Sequence, residues 1–451
     1  MALKKNQEIE LLIEGYTAEG NGVGHFDGMA VFVSGTAKGD TVLAHIIKAK
    51  KSYAVAIVKK ILNPSKNRIP VDCESFRSCG GCAYRHISYE AEKTLKEQKV
   101  RDAFLRIGHL DVKIMPIITD KTERYRNKAQ YPVGFDKEIK TGFYAQKSHR
   151  IINIDDCVLQ PKEFSTIVKI VRKWIAEYGI SIYDNENYKG LIRHIYIRKA
   201  FVTGQIMVCL VCNGTEIPKC SQLCSQLKNV EGVSSVVLNV NTEKTNVILG
   251  KECKTLWGSD FIEDVLCGVK IKISPLSFYQ VNHDCAEKLY AKAGEYAGEN
   301  GSETVLDLYC GAGTIGLSMA NKIGRLIGVE IVKEAVEDAK ENAKNNNINN
   351  AEFYCGDAKD AVKMLRDKGI TPNTVILDPP RKGCDKEVIS CVAEMNPEKI
   401  VYVSCDVSTQ ARDCAFFKEL GYETLEVTPV DMFPRTAHTE SVALLVKSNK
   451  N

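Results

Sequence analysis

Long apolar runs are absent from this 451-residue sequence; no stretch approaches the roughly 20 residues a membrane-crossing helix needs. That excludes a helical membrane protein. The opening residues, Met1-Ala2-Leu3-Lys4-Lys5, lead into no apolar core, so no secretory signal is evident and the cytoplasm is the expected compartment. No internal repeat stands out, which sets solenoid and propeller architectures aside. A disulfide framework is missing too. The 17 cysteines are odd in number and scattered through hydrophobic segments, so most read as small buried apolar residues in a reducing compartment. Nor is there a large charge of either sign, the net value being +4.

A hydrophobic content of 44% and a charged content of 26% describe a globular chain, long enough for two or three domains. The small positive excess is unevenly placed. From Met1 to Pro70 ten lysines and arginines face six acids, so this stretch carries the whole excess. Between Lys38 and Arg68 eight basic residues face Asp40 alone. Charge by itself reads equally well as a solvated face. The surrounding pattern is all-β, with short runs at 8–13, 29–33, 41–47 and 53–58. They are separated by turn signals such as Glu19-Gly20-Asn21-Gly22 and Ala37-Lys38-Gly39-Asp40. Such spacing predicts a small OB-like barrel, and a basic cluster on one points to RNA or DNA.

Asn63-Pro64-Ser65 begins a linker, followed by a cysteine cluster, Cys73-x5-Cys79-Gly80-Gly81-Cys82. From Ser88 to about Leu110 a helix is predicted, with Tyr89, Leu95, Val100, Ala103, Phe104 and Ile107 on one apolar face. Residues 115–268 are mixed and strand-rich; from Lys270 onward strands and helices alternate, as in a doubly wound α/β domain.

Within that last stretch, the strand Glu303-Thr304-Val305-Leu306-Asp307-Leu308-Tyr309 precedes Cys310-Gly311-Ala312-Gly313-Thr314-Ile315-Gly316 and a helix. The G-x-G-x-x-G spacing gains weight from the strand before it and the helix after it. The next strand ends in Glu330, 14 positions after Gly316, where a carboxylate accepts from ribose hydroxyls. Nicotinamide and S-adenosylmethionine compete for this pattern. Asp307 inside the first strand and Asp357 after the third suit a methionine amino group and an adenine edge, which favours S-adenosylmethionine. Asp378-Pro379-Pro380-Arg381 follows a fourth strand, and a methyltransferase is the better reading.

The apolar run Lys399-Ile400-Val401-Tyr402-Val403 is read as a buried strand, and Ser404-Cys405-Asp406 follows it. Glu440 stands directly before another strand-like run, 441–446. Transfer of methyl to nitrogen needs no cysteine, whereas a pyrimidine C5 carbon becomes nucleophilic only after something adds at C6. Cys405 suits that addition as a thiolate, and Glu440 suits removal of the C5 proton.

Five ordered motifs carry a family resemblance: Ser277-Phe278-Tyr279-Gln280-Val281-Asn282, Leu306-Asp307-Leu308-Tyr309-Cys310-Gly311, Asp378-Pro379-Pro380-Arg381-Lys382-Gly383, Val403-Ser404-Cys405-Asp406 and Asp431-Met432-Phe433-Pro434-Arg435-Thr436-Ala437-His438-Thr439-Glu440. Together they resemble the RNA uracil-5-methyltransferase family, and the N-terminal barrel looks like a TRAM domain. The resemblance implies Cys405 as nucleophile and Glu440 as base. It implies Gln280, Tyr309, Glu330, Asp357 and Asp378 as S-adenosylmethionine contacts. Thr314 and Asp357 stand where some members carry Asn. The implied architecture is a TRAM-like barrel over 1–62, a mixed α+β central domain over 63–87 and 115–269, and a Rossmann-like methyltransferase domain over 88–114 and 270–451.

The resemblance also implies a [4Fe–4S] cluster on Cys73, Cys79, Cys82 and Cys157, while spacing alone leaves structural zinc as an equal competitor. Cys209 and Cys212 lie in an alternating strand and are not read as ligands. The expected substrate is RNA, large-subunit ribosomal RNA ahead of transfer RNA, acted on by a monomer with no membrane partner. A non-catalytic RNA-binding or RNA-folding protein is the competing class.

Overall fold

The computed structural model describes residues 3–298 and 300–448; Met1, Ala2, Glu299 and residues 449–451 lie outside it. The chain divides into two compact units, one running to Lys99 with Phe143–Ile152 and Phe433–His438, the other holding the remainder.

In the first unit, six strands form one sheet in the order Glu8–Leu12, Thr41–Ala49, Tyr53–Asn63, Met29–Val33, Gly22–Phe26, Gly15–Tyr16. Alternation places Ile9, Leu11, Val31, Val33, Val42, Ala44, Ile46, Ala54 and Ala56 in one core. The turn expected at Glu19-Gly20-Asn21-Gly22 is made over residues 18–20, and Gly22 opens the strand Gly22–Phe26. Its glycines serve close backbone approach rather than a turn: a Cβ on Gly22 would lie 1.9 Å from Thr36 Oγ1, and one on Gly24 2.2 Å from Leu12 O. The expected turn at Ala37-Lys38-Gly39-Asp40 is locked by fully buried Asp40. Its carboxylate accepts from Ala37 N, Ser65 N at 2.9 Å and Arg68 Nε at 2.8 Å, tying the linker back to the barrel.

The helix runs Tyr89–Arg106 and passes from the first unit into the second after Lys99. Ile107 falls beyond its end and is exposed, contrary to its place on the expected apolar face. Within the first unit Glu92 and Lys96 are buried and bridge at 2.8 Å. They are held there by the Phe433–Pro434–Arg435 turn: Arg435 N donates to Glu92 at 2.7 Å, and Lys96 Nζ donates to Phe433 O at 3.2 Å.

The second unit contains an eight-stranded sheet, ordered Ala351–Cys355, Arg325–Glu330, Thr304–Leu308, Thr374–Leu377, Lys399–Ser404, Glu440–Lys447, Tyr422–Val430, Lys113–Ile114. The first five strands are parallel and nearly wholly apolar, as strands covered on both faces must be. Val100, Ala103 and Phe104 join Leu306, Ile327, Leu377, Tyr402 and Phe417 in its core. A second sheet carries Lys128–Asp136, Ile192–Lys199, Ile206–Cys212, Val233–Val240 and Glu252–Gly258 in that order. Helix Lys162–Tyr178 buries Phe164, Ile167, Val171 and Trp174, and Cys220–Leu227 buries Leu223 and Leu227. Among the described residues no helix is long and apolar enough to cross a membrane.

Candidate active site at the carboxyl edge of the sheet

Five parallel strands bring their carboxyl ends to one edge, where doubly wound sheets bind ligands. Tyr309, Asp378 and Cys405 each follow a strand directly, Glu330 ends one, and Asp357 stands two residues past another. Strand Glu440–Lys447 runs antiparallel to Lys399–Ser404, so its first residue arrives at the same edge. Ser404 pairs with Ser441, which makes Cys405 and Glu440 the next residues outward.

Cys405 is half-buried. Burial raises its thiol pKa, the charges of Glu440 and Asp378 raise it further, and the Arg381 guanidinium, hydrogen-bonded to the sulfur, opposes them. Glu440 is 5% exposed; burial and then the Asp378 charge push its carboxyl up to about 8. Burial alone pushes Asp378 up to about 7. A general base poised near neutrality suits proton removal at physiological pH.

Buried Gln410 ties the two catalytic strands together. Its Nε2 donates to Tyr402 O at 2.7 Å and to Ser441 O at 3.4 Å, and its Oε1 accepts from Ser441 Oγ at 2.6 Å. Neither Gln410 nor Arg381 was assigned a role from sequence. Arg381 lay within a quoted motif; Gln410, on helix Val407–Glu419, carried no local signal.

The glycine loop is held in left-handed backbone, with φ +66° at Tyr309, +54° at Gly311 and +78° at Gly313. For a tyrosine that conformation costs ~1–3 kcal/mol, strain that clusters at functional sites. Glu330 anchors the loop by accepting from Gly311 N at 3.1 Å and Val332 N at 2.9 Å. Asp307 Oδ2 accepts from Gly316 N at 3.0 Å, while buried Oδ1 has no partner. Burial pushes this carboxyl up to about 8, against the Gly316 bond, with Asp378 and Glu330 adding to the rise. Gly316 admits no side chain, since a Cβ would stand 2.6 Å from Leu326 Cδ1. Space is open where a Cβ on Gly311 would be.

Asp357 is exposed and caps helix Ala358–Asp367 through Lys359 N at 3.0 Å. Gln280 is buried, its carbonyl accepting from Asn127 Nδ2 at 2.8 Å. Thr314 Oγ1 meets the Tyr290 hydroxyl at 3.1 Å. An orphaned carboxylate oxygen, an open glycine loop and a ribose-type acid fit a nucleoside carrying a cationic amine, as S-adenosylmethionine does.

In the first unit, Gly81 N donates to Cys79 Sγ at 3.4 Å, and the Cys73 charge acts on Cys79. Arg85, bonded to Asp72 at 2.7 Å, feels the charges of Cys82 and Cys73. The three thiols are thus neighbours. Even so, among the described residues no group of three or more Cys, His, Asp or Glu is arranged to hold a metal ion. Cys157 lies in the second unit, half-buried beside Arg124 and Tyr131. The cysteines do not form a ready ligand set, and no step of chemistry is derived through one.

A family model for tRNA (uracil-5-)-methyltransferase matches residues 88–448, and one for the TRAM domain matches residues 2–59. An uncharacterized RNA methyltransferase of Clostridium tetani is 45% identical over 98% of this chain and 97% of its own. One from Caldanaerobacter subterraneus subsp. tengcongensis is 44% identical over 98% of this chain and 99% of its own. Among solved structures, the tRNA (uracil-54, C5)-methyltransferase of Pyrococcus abyssi, in complex with S-adenosyl-L-homocysteine, superposes with a TM-score of 0.77. It is 28% identical and covers 97% of this chain and 99% of its own. With a family model spanning most of its length and such relatives from end to end, the chain belongs to the tRNA (uracil-5-)-methyltransferase family and carries a TRAM domain ahead of the region that defines it.

Proposed function

We propose that the protein methylates C5 of a uridine in RNA, giving 5-methyluridine, with S-adenosylmethionine as methyl donor and large-subunit ribosomal RNA as substrate. The observation that carries this reading is the Ser404–Ser441 register, which brings Cys405 and Glu440, the next residue on each chain segment, to the ligand edge of the sheet. The Cys405 thiolate, favoured by Arg381, forms an Sγ–C6 bond and leaves C5 nucleophilic. S-adenosylmethionine, when bound, supplies the electrophilic methyl group that C5 takes. Glu440 then removes the C5 proton, the Sγ–C6 bond breaks and the C5–C6 double bond returns. Gln280, Tyr309, Glu330, Asp357 and Asp378 hold the methyl donor in this reading, and Asp378 also faces the uracil. A uridine in structured RNA has to leave its stack to reach Cys405, with the basic TRAM barrel adding backbone affinity.

Transfer RNA is the second reading, favoured by the similarity to the solved tRNA (uracil-54, C5)-methyltransferase. For the triplet Cys73, Cys79 and Cys82 we propose thiolate ligation of a [4Fe–4S] cluster, supported by N–H···S bonding at Cys79 and by Arg85 nearby. The proposed compartment is the cytoplasm.

Tritium release from 5-tritiated uridine RNA tests the chemistry. Cys405→Ala is expected to release none above background, and Glu440→Gln to accumulate a covalent protein–RNA adduct on denaturing gels. Undiminished release by Cys405→Ala would overturn the nucleophile and favour the competing class, an RNA-binding protein that does no chemistry.

A further inference from the structure

Strand Lys128–Asp136 runs antiparallel to Ile192–Lys199, and their register sets Lys128 directly opposite Arg198. Residues so opposed share a face, and like charges there repel. Arg126, in extended backbone that bridges to Asn282, lies two positions before Lys128 and so turns to the same face. Neighbouring cations on these segments are matched. Lys199 meets Glu163 at 2.8 Å, Arg124 meets Asp156, and Arg193 donates to the carbonyls of Asn241, Glu243 and Thr245.

Among the described residues none of the three convergent cations forms an ion pair with a carboxylate, and only Arg198 is met in part, by backbone carbonyls. Beyond its own burial, the influences on Lys128 are the charges of Arg198 and Arg126, both positive, and burial together with them pushes its ammonium down to about 8. Arg198 is 3% exposed. Its Nη1 donates to Ser274 O and Ser277 O at 2.8 and 2.7 Å, but its Nη2 has no hydrogen-bond partner. After its own burial, the largest influences on it are Tyr196, Tyr279 and Cys209. Concentrating positive charge in partly dehydrated protein is unfavourable unless an anion completes the site.

The cluster's location narrows the anion. Arg198 holds the loop that leads into Gln280, and Arg126 bridges to Asn282 just beyond it. We propose that Arg126, Lys128 and Arg198 form an anion site for a backbone phosphodiester of the RNA substrate flanking the target nucleotide. The inference rests on the RNA reading above. Three cations exceed what the single carboxylate of a methionine moiety needs, and a base drawn from its stack needs its neighbouring phosphates fixed.

The test uses the full chain, a fluorescein-labelled uridine-containing stem–loop RNA and S-adenosylhomocysteine. Fluorescence anisotropy is followed over a fourfold range of salt for wild type, Arg126→Gln, Lys128→Gln and Lys128→Arg. Each Gln variant is expected to flatten the slope of log affinity against log salt by about 0.7 to 0.9. Lys128→Arg is expected to keep the wild-type slope, which separates loss of charge from loss of fold. Slopes unchanged in both Gln variants would overturn the site. So would Gln variants that bind the RNA as wild type does and lose only affinity for S-adenosylhomocysteine, which would assign the cations to the methyl donor. Because binding is read without turnover, a failure of the proposed chemistry leaves this result independent.

Discussion

Cys405 and Glu440 both ionise later than exposed side chains of their kind, chiefly because burial disfavours their charged forms. Both act as anions, so the sign of the pH effect follows directly. Below about pH 8 Glu440 holds its proton and cannot accept another, and a raised thiol pKa depletes thiolate in the same direction. The rate of tritium release should therefore rise with pH, by about tenfold per unit below pH 8 and more steeply where both groups titrate. Glu440 feels the charge of Asp378, so its midpoint depends on whether Asp378 is ionised. A rate that stayed level from pH 6 to 9 would remove Glu440 from the proton transfer. The sequence supplied the residue types and their places near strand ends. It supplied none of this tuning, which depends on Asp378 and Arg381 reaching the same corner from another strand.

At the scale of elements, the site depends on register between strands Lys399–Ser404 and Glu440–Lys447. A one-residue slip would send Glu440 to the opposite face from Cys405. Gln410 guards that register by bonding the Tyr402 and Ser441 carbonyls and the Ser441 hydroxyl. Gln410→Ala leaves buried polar groups unmatched, at a cost of about 1–3 kcal/mol. It is expected to lower kcat at least tenfold with little change in KM for S-adenosylmethionine. A folded variant with wild-type kcat would reduce Gln410 to a core contact.

The other departures from the sequence reading are also matters of elements. Gly22 closed an expected turn signal, yet it opens a strand, where the Thr36 side chain leaves no room for a Cβ, as the Leu12 carbonyl does at Gly24. Charged residues of a helix ordinarily face water, yet Glu92 and Lys96 are buried beneath the Phe433–Arg435 turn, which no local signal in the helix indicates.

On the scale of the whole molecule, two units keep separate cores: one of barrel strands, the other of a doubly wound sheet with the sheet of Lys128–Asp136 and its neighbours. The cysteine triplet belongs to the first and the catalytic pair to the second. That division bears on the metal. Two-electron methyl transfer asks nothing of an iron–sulfur cluster, so the proposed cluster would act structurally: protein purified without oxygen is expected to be brown, and Cys79→Ala colourless and less stable to heat. Colourless wild-type protein with one zinc per chain would replace the cluster with a structural zinc.

What the sequence by itself determined is what depends on near neighbours along the chain. Period-two burial marked the barrel strands, apolar runs marked the parallel strands, and the glycine spacing after Leu308 marked the cofactor loop. The conjunction of Cys405 with Glu440 was legible as chemistry, because few reactions need both a thiolate and a base beside a methyl-donor fold. Tertiary structure decided the rest. It set Cys405 against Glu440 through strand register, raised the carboxyls of Asp307, Asp378 and Glu440 by burial, and left Lys128 facing Arg198 without a counter-charge. Register and burial are properties of segments that meet only when the chain folds, and charge–charge energies depend on those meetings far more than on spacing in sequence.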